Sequence, residues 1–191
     1  WKNLEADYIG LVHYRRYFTR KEVRSVEAKK EQILTGFEWE QLLSEYPVVV
    51  ADKRKYYIES NRSHYNHAHH SEGLDVAEQI IAEKYPEYSA AFTKVCNRTW
   101  AHMFNMFVMR RDLFNQYCEW MFSILEEIEK RVDISGYDMY EARIYGFVSE
   151  ILLDVWLEAN NINYKEQNVS FMEPQNWLKK GGLFLKRKFF K

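Results

Sequence analysis

Apolar positions along this chain fall into short unbroken runs and long periodic ones. Asp7-Tyr8-Ile9-Gly10-Leu11-Val12-His13 and Pro47-Val48-Val49-Val50-Ala51-Asp52 are short, β-branched and nearly continuous, which predicts two buried strands. Residues 103–109 form a third apolar run and predict another strand, with Asn105 as a polar residue inside it. Asp112 then offers an N-cap for a long helix to about Arg131, in which Phe114, Tyr117, Cys118, Met121, Leu125 and Ile128 keep a 3.6-residue period. The strongest helical pattern covers residues 139–159. There Ile144, Phe147, Val148, Ile151, Leu152 and Val155 form one stripe, while Leu153 and Leu157 fall on the opposite side, so two faces are expected to be buried.

Weaker patterns fill the intervals. Residues 1–5 read as the tail of a helix, and residues 14–19 as a polar-aromatic loop. Residues 21–45 are charged and helical in character, with Trp39, Leu42, Leu43 and Tyr46 at helical spacing. Residues 61–73 are polar and His-rich and read as a loop with a short helical turn. Two helices, 74–84 and 87–97, are expected on either side of Pro86, and a last strand over 164–171. Strands alternating with helices predict an α/β architecture.

Composition narrows the function classes. The 191 residues fit one domain with a sizeable core, and the net charge of −1 gives no global field for nucleic acid. Aromatics reach 17%, which suits a large core, a sugar-binding cleft, or both, because rings stack on sugar C–H faces. Cys96 and Cys118 have no metal-like or disulfide-like spacing and fit a reducing cytoplasm. No apolar run approaches about 18 residues, the length that would suggest a membrane span. The chain starts at Trp1 without an initiator Met or a signal-like segment, and an N-terminal truncation is expected.

Five places carry candidate chemistry. His13-Tyr14-Arg15-Arg16-Tyr17-Phe18 follows a predicted strand, at the position where α/β sheets bind ligands. Two guanidinium groups framed by rings suit a diphosphate, and equally a solvated basic turn. Glu150, between apolar neighbours on a doubly buried helix, must be paired, protonated or functional. Burial would raise its pKa and suit a general base; an ion pair with an arginine such as Arg143 is the structural alternative. His64, His67 and His70 at a spacing of three could face one metal, though a polar loop explains them as well. Asn105 would be a buried hydrogen-bond anchor or a contact to a sugar hydroxyl. The tail 179–191 packs six cations and five large apolar residues into thirteen positions, as a membrane-surface segment does; an untethered terminus is the alternative.

The string Trp1-Lys2-Asn3-Leu4, then Asp7 to Phe18, resembles a bacterial family long labelled a domain of unknown function and found in capsule, exopolysaccharide and O-antigen gene clusters. The resemblance continues through residues 105–109, 117–122 and 146–150 and covers about residues 1–172, leaving 173–191 as a basic-aromatic tail. Where the family pattern has Arg after the helix glutamate, this chain has Ile151. Family members look like sugar-nucleotide-dependent glycosyltransferases, some similar to galactofuranosyltransferases.

The resemblance implies a GT-A-like α/β fold lacking its first strands, and an inverting hexosyltransferase at the inner face of the bacterial membrane. A nucleoside diphosphate sugar, with UDP as one carrier, would be the donor. The acceptor would be a glycan or a lipid-linked sugar, and no nucleic acid would take part. In that scheme His13, Tyr14, Arg15 and Arg16 bind the donor, Glu150 is the catalytic base, and Asn105, His67 and His70 meet the acceptor. The GT-A pattern places an Asp-x-Asp metal motif where this chain has His13-Tyr14-Arg15, so a divalent metal is not indicated by that motif. A non-catalytic carbohydrate-binding or scaffolding module of a polysaccharide assembly complex is the competing reading. A hydrolase built on the histidines lacks a ligand set in the sequence.

Overall fold

Three strands leave the central sheet at the same end, and that end carries the site. The computed structural model describes residues 1–173. Its main sheet runs β1-β6-β3-β7, with β1 at Tyr8–Leu11, β3 at Val48–Ala51, β6 at Phe107–Arg110 and β7 at Tyr164–Gln167. β6 is antiparallel to both β1 and β3, while β7 is parallel to β3. It follows that β1, β3 and β7 point one way and their C-terminal ends share an edge. Two small ribbons extend from there: β2 (Arg16–Phe18) pairs with β8 (Val169–Phe171), and β4 (Arg54–Lys55) pairs with β5 (Trp100–Ala101).

All four residues of β3 are buried, because both faces of the sheet are covered. Val48 and Val50 join the larger core, with Ile9, Phe107 and Met109 of the neighbouring strands. Ala51, one step out of phase, joins a smaller cluster with Phe18, Met106 and Trp39 on the other side. The larger core is roofed by α4 (Glu72–Lys84), α5 (Ser89–Asn97), α6 (Arg111–Arg131) and α7 (Ile144–Ala159). α2 (Gly36–Glu45), started by a reciprocal Thr35–Glu38 capping box, lies against β3, and the short α1 (Val26–Glu31) precedes it. Gly73 is needed at the α4–α7 contact. A Cβ there would lie 2.6 Å from the Ile144 side chain, so only glycine lets the start of α7 seat itself.

Several expectations change. Residues 1–5 form a turn, not a helix, and 21–45 is two helices separated by the strand-like bridge of Ile33 to Thr19. The last predicted strand is two strands, β7 and β8, which part at Asn168 into different sheets. β6 starts only at Phe107, because Phe104 and Asn105 take the left-handed backbone, with φ of 80° and 51°. Asn105 is therefore a turn residue. α6 begins at Arg111, and Asp112 sits in its first turn, bonded to Arg110. The His-rich segment is α3 (Asn61–Ala68), a true helix capped by Ser60. Cys96 and Cys118 are both free and buried. The tail 173–191, with its proposed membrane-surface segment, lies outside the described residues from 174 onward. No described helix is long and apolar enough to cross a membrane.

Candidate active site

A cavity of about 460 Å³ opens at the shared C-terminal edge of β1, β3 and β7. α7 supplies one wall with Phe147, Glu150 and Ile151, on one stripe, and Arg143 joins them from the N-cap position. α3 supplies Asn61, His64, Tyr65, His67 and Ala68. Loop and ribbon residues His13, Arg16, Arg54, Tyr56, Glu59 and Phe104 close the rest.

The turn after β1 explains how two adjacent arginines part company. His13 and Arg16 pair across a two-residue tip, with the Arg16 N–H donating to the His13 carbonyl at 3.2 Å. Opposed positions on a ladder share a face, so His13 and Arg16 both turn into the cavity while the tip residues project outward. Tyr14 is 75% exposed, and Arg15 stacks on it and pairs with Glu173 at 3.1 Å. The expectation that both arginines face one cleft thus fails for Arg15 and Tyr14. His13 Nε2 lies 2.7 Å from the Phe104 carbonyl, which can only accept, so this nitrogen carries the proton. The Arg16 guanidinium lies 4.1 Å from the Phe104 ring centre and 5.1 Å from that of Phe171, and its Nε has no hydrogen-bond partner. Burial draws its pKa below the ordinary value, against the pull of Glu150.

Glu150 makes no direct ion pair with any described residue, so the Arg143 pair suggested as its structural role does not form. Burial pushes its carboxyl up to about 7; the charges of Arg16, Arg54 and Arg143 and a Phe104 N–H hold it from rising further. A carboxylate at that value accepts and returns protons near neutrality. Across the cavity, the buried Glu59 carboxylate lies 3.2 Å from His64 Nδ1 and 3.1 Å from His67 Nδ1. Burial lowers the His64 pKa, so this ring is neutral near pH 7, and it stacks on Tyr56 at 4.0 Å.

The other sequence candidates scatter. His70 falls beyond the α3 C-cap and stacks on Tyr137 at 4.5 Å, outside the cavity lining. His64, His67 and His70 therefore do not converge on one point. Asn105 also lies outside the lining: its amide donates to Ser149 Oγ at 2.8 Å and to the Gly146 carbonyl at 3.2 Å, which ties the β6 entry turn to α7 beside Glu150. Sequence reasoning missed Arg54, Tyr56 and Glu59. The signal was present for Arg54, which follows β3 by three residues, as Arg16 follows β1 by five.

It also missed the buried group behind the site. Asp154, one turn after Glu150 on α7, accepts from His102 Nδ1 at 2.5 Å and from the His102 N–H at 2.9 Å, and pairs with Arg98 at 2.5 Å. Burial works to raise its pKa, yet His102 and Arg98 bring it below the usual carboxylate value. These bonds fix the 98–102 segment, hence β5, hence the β4 strand that delivers Arg54.

A family model described as a domain of unknown function, DUF4422, matches residues 1–161. The chain belongs to this family. A solved apo structure titled as the bifunctional glycosyltransferase WbbM is similar over 90% of the chain, with a TM-score of 0.81 and 27% identity. The chain spans about a third (34%) of that structure's length. No curated protein sequence gives a significant match. The fold of this DUF4422 domain is GT-A-like, a mixed α/β sheet with a parallel β3–β7 pair. No group of three His, Cys, Asp or Glu among the described residues is arranged to hold an ion.

Proposed function

We propose that this DUF4422 chain is the sugar-transferring domain of a glycosyltransferase, moving a hexose from a nucleoside diphosphate sugar to a glycan or lipid-linked acceptor with inversion. The observation that carries the reading is Glu150: a carboxyl raised to about 7, without an ion pair, facing a cavity at the ligand-binding edge of a fold shared with a glycosyltransferase. In this scheme Glu150 takes the proton from the acceptor hydroxyl as that oxygen attacks the anomeric carbon, and the nucleoside diphosphate leaves. Arg16, held against the Phe104 ring and beside that of Phe171, meets the developing charge on the leaving group, with His13 beside it. His67 and the aromatic wall of Tyr56, Tyr65 and Phe147 receive the acceptor.

A place in capsule, exopolysaccharide or lipopolysaccharide synthesis, at the inner face of a bacterial membrane, belongs to the same proposal. It rests on the resemblance of the sequence to families encoded in such gene clusters. Transfer is tested by nucleoside diphosphate release from a panel of sugar nucleotides, with wild type and Glu150→Gln compared. Loss of about a hundredfold or more in kcat with a melting temperature no lower than that of wild type is expected, and the wild-type rate should rise with pH and level off above about 7. Full activity in Glu150→Gln would defeat this mechanism, and a wild type that turns over no sugar nucleotide would favour the carbohydrate-binding module.

A further inference from the structure

The arginines of this chain divide by what they touch. Arg15, Arg20, Arg62, Arg98, Arg110 and Arg131 each pair with a carboxylate, Arg62 with two, at 2.8 Å to Asp75 and 2.6 Å to Glu78. Arg16, Arg54 and Arg143 have no ion pair among the described residues and all three line the cavity, whereas Arg24 and Arg111, also without an ion pair, lie outside its lining. Each lies over an aromatic ring instead: Arg54 is 5.3 Å from the Tyr56 ring centre, and Arg143 is 5.3 Å from that of Phe147. Ring stacking holds a guanidinium plane in place while leaving its N–H edge open to accept a ligand oxygen. The three come from three places, the start of β2, the start of β4 and the turn that leads into α7. Their charges act on one another and on Glu150, which places them around one volume.

Like charges gathered without counter-ions cost free energy unless a ligand supplies the negative charge. Three cations face two carboxylates in this cavity. Glu59 stands behind two imidazoles, and Glu150 is half protonated near neutrality. The cavity therefore keeps a positive surplus. A diphosphate matches it in charge, and guanidinium forks match its oxygens in geometry.

We infer that Arg16, Arg54 and Arg143 form a diphosphate cradle that neutralises its ligand with guanidinium groups alone and needs no divalent cation. The nature of the ligand rests on the sugar-transfer reading; the charge arrangement does not. The cradle takes over the work that an Asp-x-Asp metal performs in the wider GT-A pattern, at a place where this chain carries His13-Tyr14-Arg15. It also gives Arg54 and Arg143 a role that no motif in the sequence assigns.

The test is calorimetric titration of the full chain with inorganic pyrophosphate and, separately, with UDP, each in EDTA and in manganese. Binding in EDTA within about threefold of that in manganese is expected. Arg54→Ala and Arg143→Ala should each weaken it by about tenfold, the loss expected for a hydrogen bond to a charged group. Both side chains are exposed, so these variants should fold; matching melting curves and circular dichroism confirm that the loss is local. Arg24→Ala, a surface arginine outside the cavity, should leave binding unchanged. Binding that appears only with manganese, or that ignores both cavity variants, overturns the cradle, as does a failure to bind pyrophosphate and UDP under either condition. The two proposals fail separately. Manganese-dependent UDP binding by an active transferase sinks the cradle alone, and metal-free pyrophosphate binding by a protein that turns over no sugar nucleotide sinks the transferase alone.

Discussion

Glu150 and Asp154 stand one turn apart on the same largely apolar helix, and the fold treats them in opposite ways. Asp154 is saturated: His102 gives it two hydrogen bonds, Arg98 an ion pair, and its pKa falls. Glu150 faces the cavity with three arginines in range but none in contact, and its pKa climbs to about 7. One carboxylate ties the 98–102 segment to α7; the other keeps its proton-binding capacity for something that enters. A buried acid in a helix thus has two fates, and what decides between them is whether its partners arrive with the fold or with a ligand.

The largest expected effect lies on the saturated side. Asp154→Ala strands Arg98 and His102 without their shared partner, and removing one member of a buried ionic group costs about 3–5 kcal/mol. Thermal or urea unfolding should register it, and binding of pyrophosphate should weaken as well, because β5 no longer anchors the Arg54 strand. Acid supplies a milder version. Since the folded pKa of Asp154 lies below its unfolded value, its contribution is present above the ordinary aspartate value near 4 and lost as pH falls below it. A protein equally stable with and without Asp154 would erase the contrast.

Next in size is the stability of Glu150→Gln, with the opposite sign. The folded pKa of about 7 exceeds the unfolded value of 4.5, so the native state binds the extra proton and wild-type stability declines between those pH values. Glutamine escapes that penalty. The variant should be about 1–3 kcal/mol more stable than wild type at pH 8 and indistinguishable from it at pH 4, measured by melting temperature at the two pH values. A variant less stable than wild type at pH 8 would mean that the Glu150 carboxylate serves the fold.

How far the sequence alone could anticipate this follows from the kind of force at each place. β3 and α7 were legible because burial on two faces writes itself as continuous or periodic apolar residues, and Glu150 stood out against that background. The same reasoning applied to Asp154, between Leu153 and Val155, would have found it too. β6 was overextended because Phe104 and Asn105 are as apolar in neighbourhood as a strand, while their left-handed backbone is set by contacts with α7 and His13. α3 was read as a loop because its own residues are polar; tertiary bonds such as Asn61 Nδ2 to the Val95 and Trp100 carbonyls, at 2.8 Å each, hold it. The histidines then followed the helix end. His69 is extended at the C-cap, so His70 turns away from the face that His64 and His67 share. Arg54 follows a strand end as Arg16 does, but only the strand directions show that the two ends meet.

The smallest expected effect sharpens the comparison most, because it separates pairing from burial. Arg15 is ion-paired like Arg98, but both it and Glu173 have about half of their side-chain surface in solvent, 53% and 51%. Exposed pairs contribute about 0–1 kcal/mol, so Arg15→Ala should change the unfolding free energy by no more than that. It should also leave pyrophosphate affinity and transfer rate within about twofold, the scale of screening at a Debye length of about 8–10 Å. Arg16→Ala, one residue along, removes a guanidinium packed on Phe104 and beside Phe171 inside the cavity and should abolish most of both. If the two neighbours behaved alike, the division between charges that serve the fold and charges kept open for a ligand would fail at the turn where it is drawn most sharply. If they part, the backbone pairing of His13 with Arg16 is what assigns each arginine its task.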